Sequence, residues 1–285
     1  MKLINQACTL IEQTDFSTKG IFKCIESCAR ISYKSEDRIT DDSYIKFVNN
    51  LIARHHDRPL EFGTVHLRMS GMEFEEFYSV LTHANAFNSI WTHYNDVKEW
   101  DNHIYYVTTN YREYLKMNEI LDITPYFDES NVDTDPYPKR YIFQMILSRG
   151  VMDEFRTHIG LSHLAESTRY CNYSKDKFDN EVTFIIPDWV NTHCPNEENE
   201  GPSAADLEWS TAMQNAEASY FQLLKEGWKP QQAREVLPLG VKSELISCGF
   251  KDAWDNFFER RCDSAAHPMA KEIAMQMKEL YDHTI

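Results

Sequence analysis

Apolar residues follow a helical spacing in some segments of this chain and a strand-like alternation in others, in no regular order. Of all its sequence features, this mixture constrains the fold most. Apolar residues between positions 41 and 55 share one face at helical spacing. Residues 64–69 instead alternate, as the residues of a half-buried strand do. We find no internal repeat, low-complexity tract or interdomain linker. The sequence therefore predicts one α+β domain over residues 1–285, with an antiparallel-type sheet.

The same patterns predict the individual elements. Strands are expected over residues 7–11, 64–69, 103–112 and 182–187, and helices over 20–30, 41–55, 72–83, 140–148, 203–227 and 266–282. Ser203 is expected to cap one helix and Pro230 to begin the next. The polar, Asp- and Pro-containing segment 113–139 is predicted to be a surface excursion.

Composition excludes several classes of protein. The formal net charge of −16 argues against a general nucleic-acid binder. No apolar run approaches the ~20 residues of a membrane span, and the N-terminus has no apolar signal-peptide core, so we expect a cytoplasmic protein. The seven cysteines include no C-x-x-C pair, which is typical of reduced thiols. His55 and His56 lack spaced partner ligands, so no metal site is predicted.

The most informative segment is 154–178, because charged and hydroxyl side chains crowd an otherwise apolar stretch. Arginine is rarely buried without a partner. The partner here is either an internal carboxylate, such as Glu154 or Glu166, or an anionic ligand, and these residues alone favour the internal pair. Ser167, Thr168 and Arg169 strengthen the ligand alternative, because two hydroxyls and a guanidinium suit a phosphate monoester.

Two further arginines lie in similar settings. Arg234 is in QQAREVLPLG, and Arg261 is in NFFERRCDSAAHP. Three such arginines on separate apolar elements of an acidic chain leave two alternatives open: one shared anion site or three separate ion pairs. The sequence contains no Walker loop, no G-x-G-x-x-G and no G-x-S-x-G, so P-loop nucleotidases, Rossmann dehydrogenases and α/β-hydrolases do not fit.

Five ordered blocks resemble the flavin-dependent thymidylate synthases, the thymidylate synthase-complementing family. The blocks are ESTRY with an upstream Arg and His, CARISY (28–33), HDRPLEFGTVHL (56–67), AREVLPL (233–239) and residues 256–263. The resemblance implies the family fold, with residues 70–139 as a family-variable insertion. It also implies homotetramers whose active sites are shared between subunits.

The resemblance implies roles for particular positions. The implied dUMP-binding residues are Glu166, Ser167, Thr168, Arg169, Arg234 and Arg261. Arg234 would approach the nucleotide from another subunit, and Arg261 would be catalytic, polarising the uracil ring. The implied FAD-binding residues are His56, Arg58, Glu61, Arg156, His158 and Asn256.

The chain departs from the family's R-H-R motif. Counted back from Arg169, the three motif positions hold Thr157, His158 and Ile159, so only the histidine is retained. Arg156 lies one residue early and replaces the first arginine if the loop shifts by one. Glu154 occupies the position of a usual glutamine, which puts a negative charge near the nucleotide.

The implied activity is the reductive methylation of dUMP to dTMP, with FAD as cofactor, methylenetetrahydrofolate as carbon donor and NADPH as reductant. No enzyme nucleophile is implied, because the flavin and folate carry the chemistry. Two alternatives remain open: hydroxymethyl transfer to a pyrimidine nucleotide on the same scaffold, and a non-catalytic flavin- or nucleotide-binding protein.

Overall fold

The computed structural model describes residues 1–99, 102–130, 134–167, 172–175, 179–193 and 201–284. The strands are β1 (Lys2–Ile4), β2 (Ala7–Ile11), β3 (Thr64–Ser70), β4 (His93–Glu99), β5 (Asn102–Asn110), β6 (Arg140–Ser148), β7 (Ser162–Ala165), β8 (Thr183–Ile185) and β9 (Lys242–Phe250). The α-helices are α1 (Thr18–Tyr33), α2 (Ser43–Ala53), α3 (Gly71–His83), α4 (Tyr111–Asn118), α5 (Arg149–Phe155), α6 (Ala204–Lys225), α7 (Pro230–Ala233), α8 (Lys251–Arg261) and α9 (Pro268–Asp282).

A four-stranded antiparallel sheet in the order β2-β6-β9-β7 forms the centre of the molecule. Alternate residues of β6 enter different cores. Phe143 and Met145 pack with α5, α8 and α9, whereas Ile142 packs with α1. The sheet therefore has helices on both faces, and the observed mixture of helices and antiparallel strands confirms the predicted α+β class.

This double burial explains one wrong prediction. Residues 140–148 were expected to form a helix but form strand β6. A central strand with both faces covered has a continuous apolar run rather than alternation, and such a run cannot be distinguished from a buried helix by period. Strand β9, also buried on both faces, was not predicted for the same reason.

The segment 70–139 is largely a folded layer. Strands β3, β5 and β4 form an antiparallel sheet, and α2, α3 and α4 share its hydrophobic core. The surface-excursion prediction for 113–139 is wrong in part, because Met117, Ile123 and Tyr137 are buried. Asn110 accepts a hydrogen bond from the backbone N–H of Glu113 and starts α4, so β5 ends before the predicted residue 112.

Other local predictions are confirmed. Ser203 caps α6 by accepting from the Asp206 backbone N–H, and Pro230 is the first residue of α7. The predicted strands at 7–11 and 64–69 and the helices near 20–30, 41–55, 72–83 and 266–282 are observed within a few residues. Of the described helices, none is long and apolar enough to cross a membrane.

Candidate active site

Strand β7 connects the main parts of the candidate site. It leads from the loop that contains His158 to Glu166 and Ser167, and it pairs with β9 along Ser162–Ala165. The backbone N–H of Ser167 donates to the carbonyl of Ser32 at 3.3 Å. The fold therefore brings the ESTRY segment to the CARISY block, and Phe62 of the HDRPLEF block shares a core with Cys28 and Leu164.

A small pocket of about 190 Å³ contains three residues of the predicted site. His158, Asn256 and Arg261 line it, together with Thr157, Ile159 and Arg260. Arg261 is the last residue of α8, and Asn256 lies about one and a half turns earlier on the same helix. The packing of α8 against the loop after α5 thus assembles residues that are about 100 positions apart in sequence.

Within this pocket the Arg261 guanidinium has specific partners. Its Nη1 contacts Glu154 Oε2 at 2.6 Å and its Nη2 donates to the Glu154 carbonyl at 2.9 Å. Its Nε donates to His158 Nε2 at 2.8 Å. The internal-pair alternative therefore holds for Arg261 in this structure, with Glu154 as the carboxylate. The contacts also fix the direction of the guanidinium plane.

His158 is held in its neutral form. Burial, followed by the charges of Arg261 and Arg260, lowers its pKa from 6.5 to about 4. Because Nε2 accepts the Arg261 proton, the ring proton must lie on Nδ1. The imidazole therefore carries no charge, and the positive charge at this place belongs to Arg261 and Arg260.

His163 on β7 is a second buried histidine close in sequence to this pocket. Its Nδ1 lies 2.8 Å from Ser247 Oγ of β9. Burial lowers its pKa to about 4; a backbone hydrogen bond with His158 opposes this shift, and the charges of Arg156 and Arg58 add to it. Arg58 and Arg156, predicted from separate segments to bind FAD, thus both act electrostatically on His163.

Glu166 lies in a buried ionic network at the opposite end of β7. Lys242 of β9 donates to Glu166 at 2.9 Å and to Glu244 at 2.5 Å, and Lys34 also pairs with Glu244. Glu166 and Lys242 line a cavity of about 250 Å³. The Glu166 side chain is 2% exposed, and Lys242 is an ion-pair partner of this carboxylate.

The remaining predicted residues are dispersed. Glu61 is buried and paired with Arg112, whereas His56 and Arg58 are exposed. Arg234 lies in a short 3₁₀ helix after α7, with its Nε 3.4 Å from Glu235. Thr168 and Arg169 lie outside the described residues.

The sequence interpretation missed several residues that shape the site. The network of Lys34, Lys242 and Glu244 was not predicted, and neither were the Ser247 partner of His163 and the position of Arg260 in the pocket. The spacing of Lys242 and Glu244, two residues apart, was an available signal, because such residues share one face of a strand. It was usable only if residues 242–250 had been recognised as a strand.

The three buried histidines predict acid sensitivity. Burial lowers the pKa of His66 to about 3, and His158 and His163 have pKa values of about 4, against the ordinary 6.5. Between the folded and the ordinary pKa values, the unfolded chain binds more protons than the folded chain does. The free energy of unfolding is therefore highest above pH 6.5 and decreases as the pH falls toward 4. From pH 7.5 to pH 5, each histidine should lower the free energy of unfolding by about 1–2 kcal/mol in urea titrations.

A His163→Gln variant provides the control for this prediction. It should lose less stability than the wild type over the same pH interval, because one titrating group is missing. Equal free energies of unfolding at pH 7.5 and pH 5 in the wild type would contradict the assignment of neutral buried imidazoles.

The fold and the candidate site together describe an α+β protein in which His158, Asn256 and Arg261 line one pocket. The family model described as "Thymidylate synthase complementing protein" matches residues 139–284, just over half of the chain. The chain therefore belongs to the thymidylate synthase complementing protein family, which confirms the resemblance. The matched range includes α5, β7, β9 and α8 but not the CARISY and HDRPLEF blocks.

Two solved structures show a weaker likeness. Both are of the UMP/dUMP methylase PolB from Streptomyces cacaoi, bound with 5-Br UMP in one and 5-Br dUMP in the other. The identities are 15% and 17% and the TM-scores 0.44 and 0.43; the likeness covers 99% of this chain and 92% and 93% of the two neighbours. No curated protein sequence matches the chain.

Proposed function

We propose that this protein is a flavin-dependent thymidylate synthase that converts dUMP to dTMP. It would use FAD as cofactor, methylenetetrahydrofolate as carbon donor and NADPH as reductant. The observation that carries the proposal is the convergence of His158, Asn256 and Arg261 in one pocket of a chain that belongs to the family. These three residues come from two of the five sequence blocks.

The residues near β7 fit an anionic flavin cofactor. Arg58 and Arg156 would supply guanidinium groups for a pyrophosphate, and the charges of both act on His163. His158 and Asn256 supply a neutral imidazole and an amide at the adjacent pocket. The pocket of about 190 Å³ accommodates only part of such a cofactor, which agrees with the proposal that a homotetramer completes each site. When bound, the flavin would supply the reducing equivalents.

The protein's own residues would bind and polarise the nucleotide. Ser167 would hold the phosphate with Thr168 and Arg169, and Arg234 would approach from a second subunit. Arg261 has five N–H donors, of which Glu154 and His158 use three. The guanidinium could therefore donate to a uracil oxygen without releasing its present partners. In a site with little water, this would stabilise the negative charge that develops on the ring.

Two carboxylates near the proposed nucleotide site affect its net charge. Glu154 neutralises much of the Arg261 charge before the nucleotide binds, and Lys242 does the same for Glu166. Glu166 therefore adds little net negative charge at the position where a nucleotide phosphate is proposed. This answers the difficulty that carboxylates near the nucleotide would repel it.

One experiment separates the proposal from its two alternatives. The purified protein is examined for flavin absorbance and then assayed for dUMP-dependent tritium release from the uracil ring, with the product identified by mass. We expect a yellow protein that forms dTMP. A hydroxymethylated nucleotide would support the sister chemistry, and a flavin-bound protein without dUMP turnover would support the non-catalytic alternative.

Arg58→Gln and Arg156→Gln are each expected to weaken FAD binding about three- to tenfold, as for the loss of one exposed charge-assisted hydrogen bond. Fluorescence quenching of added FAD measures the affinity. Arg68→Gln is the matched control, because Arg68 is also exposed and pairs with Glu99 at 3.3 Å, away from β7. Unchanged affinity in both test variants would contradict a flavin phosphate site beside His163.

A further inference from the structure

A cavity of about 380 Å³ lies where the end of β2, strand β3 and the segment leading into β6 meet. Its walls include Phe16, His66, Tyr137 and Arg140. None of these residues belongs to the proposed nucleotide or flavin site. The volume is within the range of about 300–1,000 Å³ that is usual for pockets that bind small molecules.

Arg140 places a positive charge without a carboxylate partner at this cavity. Its Nη2 donates to the Glu61 carbonyl at 2.7 Å and its Nη1 to Thr64 Oγ1 at 3.1 Å. Nε is buried with no hydrogen-bond partner, and in the described part of the chain the guanidinium forms no ion pair. The Glu61 carboxylate is bound by Arg112 instead. A half-buried guanidinium with only neutral partners is stabilised by an anion.

Flat side chains form another wall of the cavity. The His66 ring is stacked between Phe16 at 4.1 Å and Tyr137 at 3.9 Å, measured between ring centroids. His66 is 3% exposed, and its Nδ1 has no hydrogen-bond partner among the described residues. Tyr141 and Ile142 add aromatic and aliphatic surface. Such walls favour a planar, apolar body.

We propose that this cavity binds a small aromatic anion, with its charged group at Arg140 and its ring beside the stack of Phe16, His66 and Tyr137. The inference does not depend on the proposed synthase activity. Arg140 also donates to the Glu61 carbonyl, so a ligand held at Arg140 would be linked through that hydrogen bond to the loop that carries three of the predicted flavin residues.

The test uses benzoate, phenyl phosphate and uncharged benzyl alcohol as probes, titrated into the full-length protein by calorimetry. Benzoate or phenyl phosphate, or both, should bind with a dissociation constant of about 0.1–1 mM, and benzyl alcohol about tenfold more weakly. The preferred probe of the two distinguishes a carboxylate ligand from a phosphate ligand. Equal binding of benzyl alcohol, or no binding of either anion, would overturn the proposal.

Two variants locate the binding. Arg140→Gln should weaken both anions about tenfold. Thr14→Trp narrows the cavity from an exposed position, so it tests the site even if Arg140→Gln fails to fold, and it should abolish binding. Arg38→Gln, which removes an exposed arginine in the segment between α1 and α2, should leave binding unchanged. Anion affinity that is unaffected by Thr14→Trp would place the probes outside this cavity and refute the inference.

Discussion

Replacement of Arg261 with alanine is expected to lower the turnover of dUMP by about 10²- to 10³-fold, the usual effect of removing a preorganised donor from a site of developing charge. Three protein contacts orient the guanidinium, and it lines the pocket with His158 and Asn256. Tritium release under saturating dUMP measures the effect. Near-normal turnover in the variant would contradict a catalytic role.

Arg261→Lys and Glu154→Gln refine this prediction. Lysine keeps the charge but not the planar fork, so it should recover only a small part of the lost rate. Glu154→Gln restores the usual family residue and removes the carboxylate that neutralises Arg261. If Arg261 polarises the nucleotide, this variant should bind dUMP more tightly, whereas a purely structural ion pair would give only a lower melting temperature.

Replacement of Lys242 with methionine is expected to lower the free energy of unfolding by about 3–5 kcal/mol, because it removes the buried cation that pairs with both Glu166 and Glu244. Glu166 is 2% exposed and has Lys242 as its ion-pair partner, whereas Glu244 retains Lys34. Urea denaturation measures the loss. A decrease below about 1 kcal/mol would show that water reaches this network and screens it.

The double variant Lys242→Met with Glu166→Leu is the matched control. It removes both charges, so most of the stability should return. The pH dependence provides a second check. Burial alone would raise the pKa of Glu244, but Lys242 and Lys34 outweigh it and lower the pKa. The stabilisation from Glu244 is therefore complete above its ordinary pKa of 4.5 and is lost as the pH falls below it.

Local sequence signals predicted the outer elements of the fold well. Helix α6 begins at its predicted cap, Ser203, and strand β3 shows the expected alternation of apolar residues. Strands β6 and β9 were not predicted, because central strands with both faces buried carry no period of two. The core that joins α2, α3 and α4 was also missed, since its apolar residues are distributed over polar segments.

The candidate site was likewise predicted from the sequence only in part. His158, Asn256 and Arg261 were predicted as site residues from sequence blocks, and the structure places them in one pocket. For Arg261 the sequence left open a shared anion site or a separate ion pair, and it named Glu154 only as a partner for the arginines of segment 154–178. The structure shows that Arg261 pairs with Glu154 and that Glu166 pairs with Lys242.

The sequence by itself therefore determined the class of fold, the family and the residue types of the site. Cap residues, hydrophobic periods and motif spacing are local properties, and a chain carries them before it folds. Only the tertiary structure decided which charges neutralise one another and which guanidinium groups remain available for an anion. Ion pairing depends on distances of a few ångströms between segments about 100 residues apart, such as α5 and α8, and the packing of helices on the central sheet sets those distances.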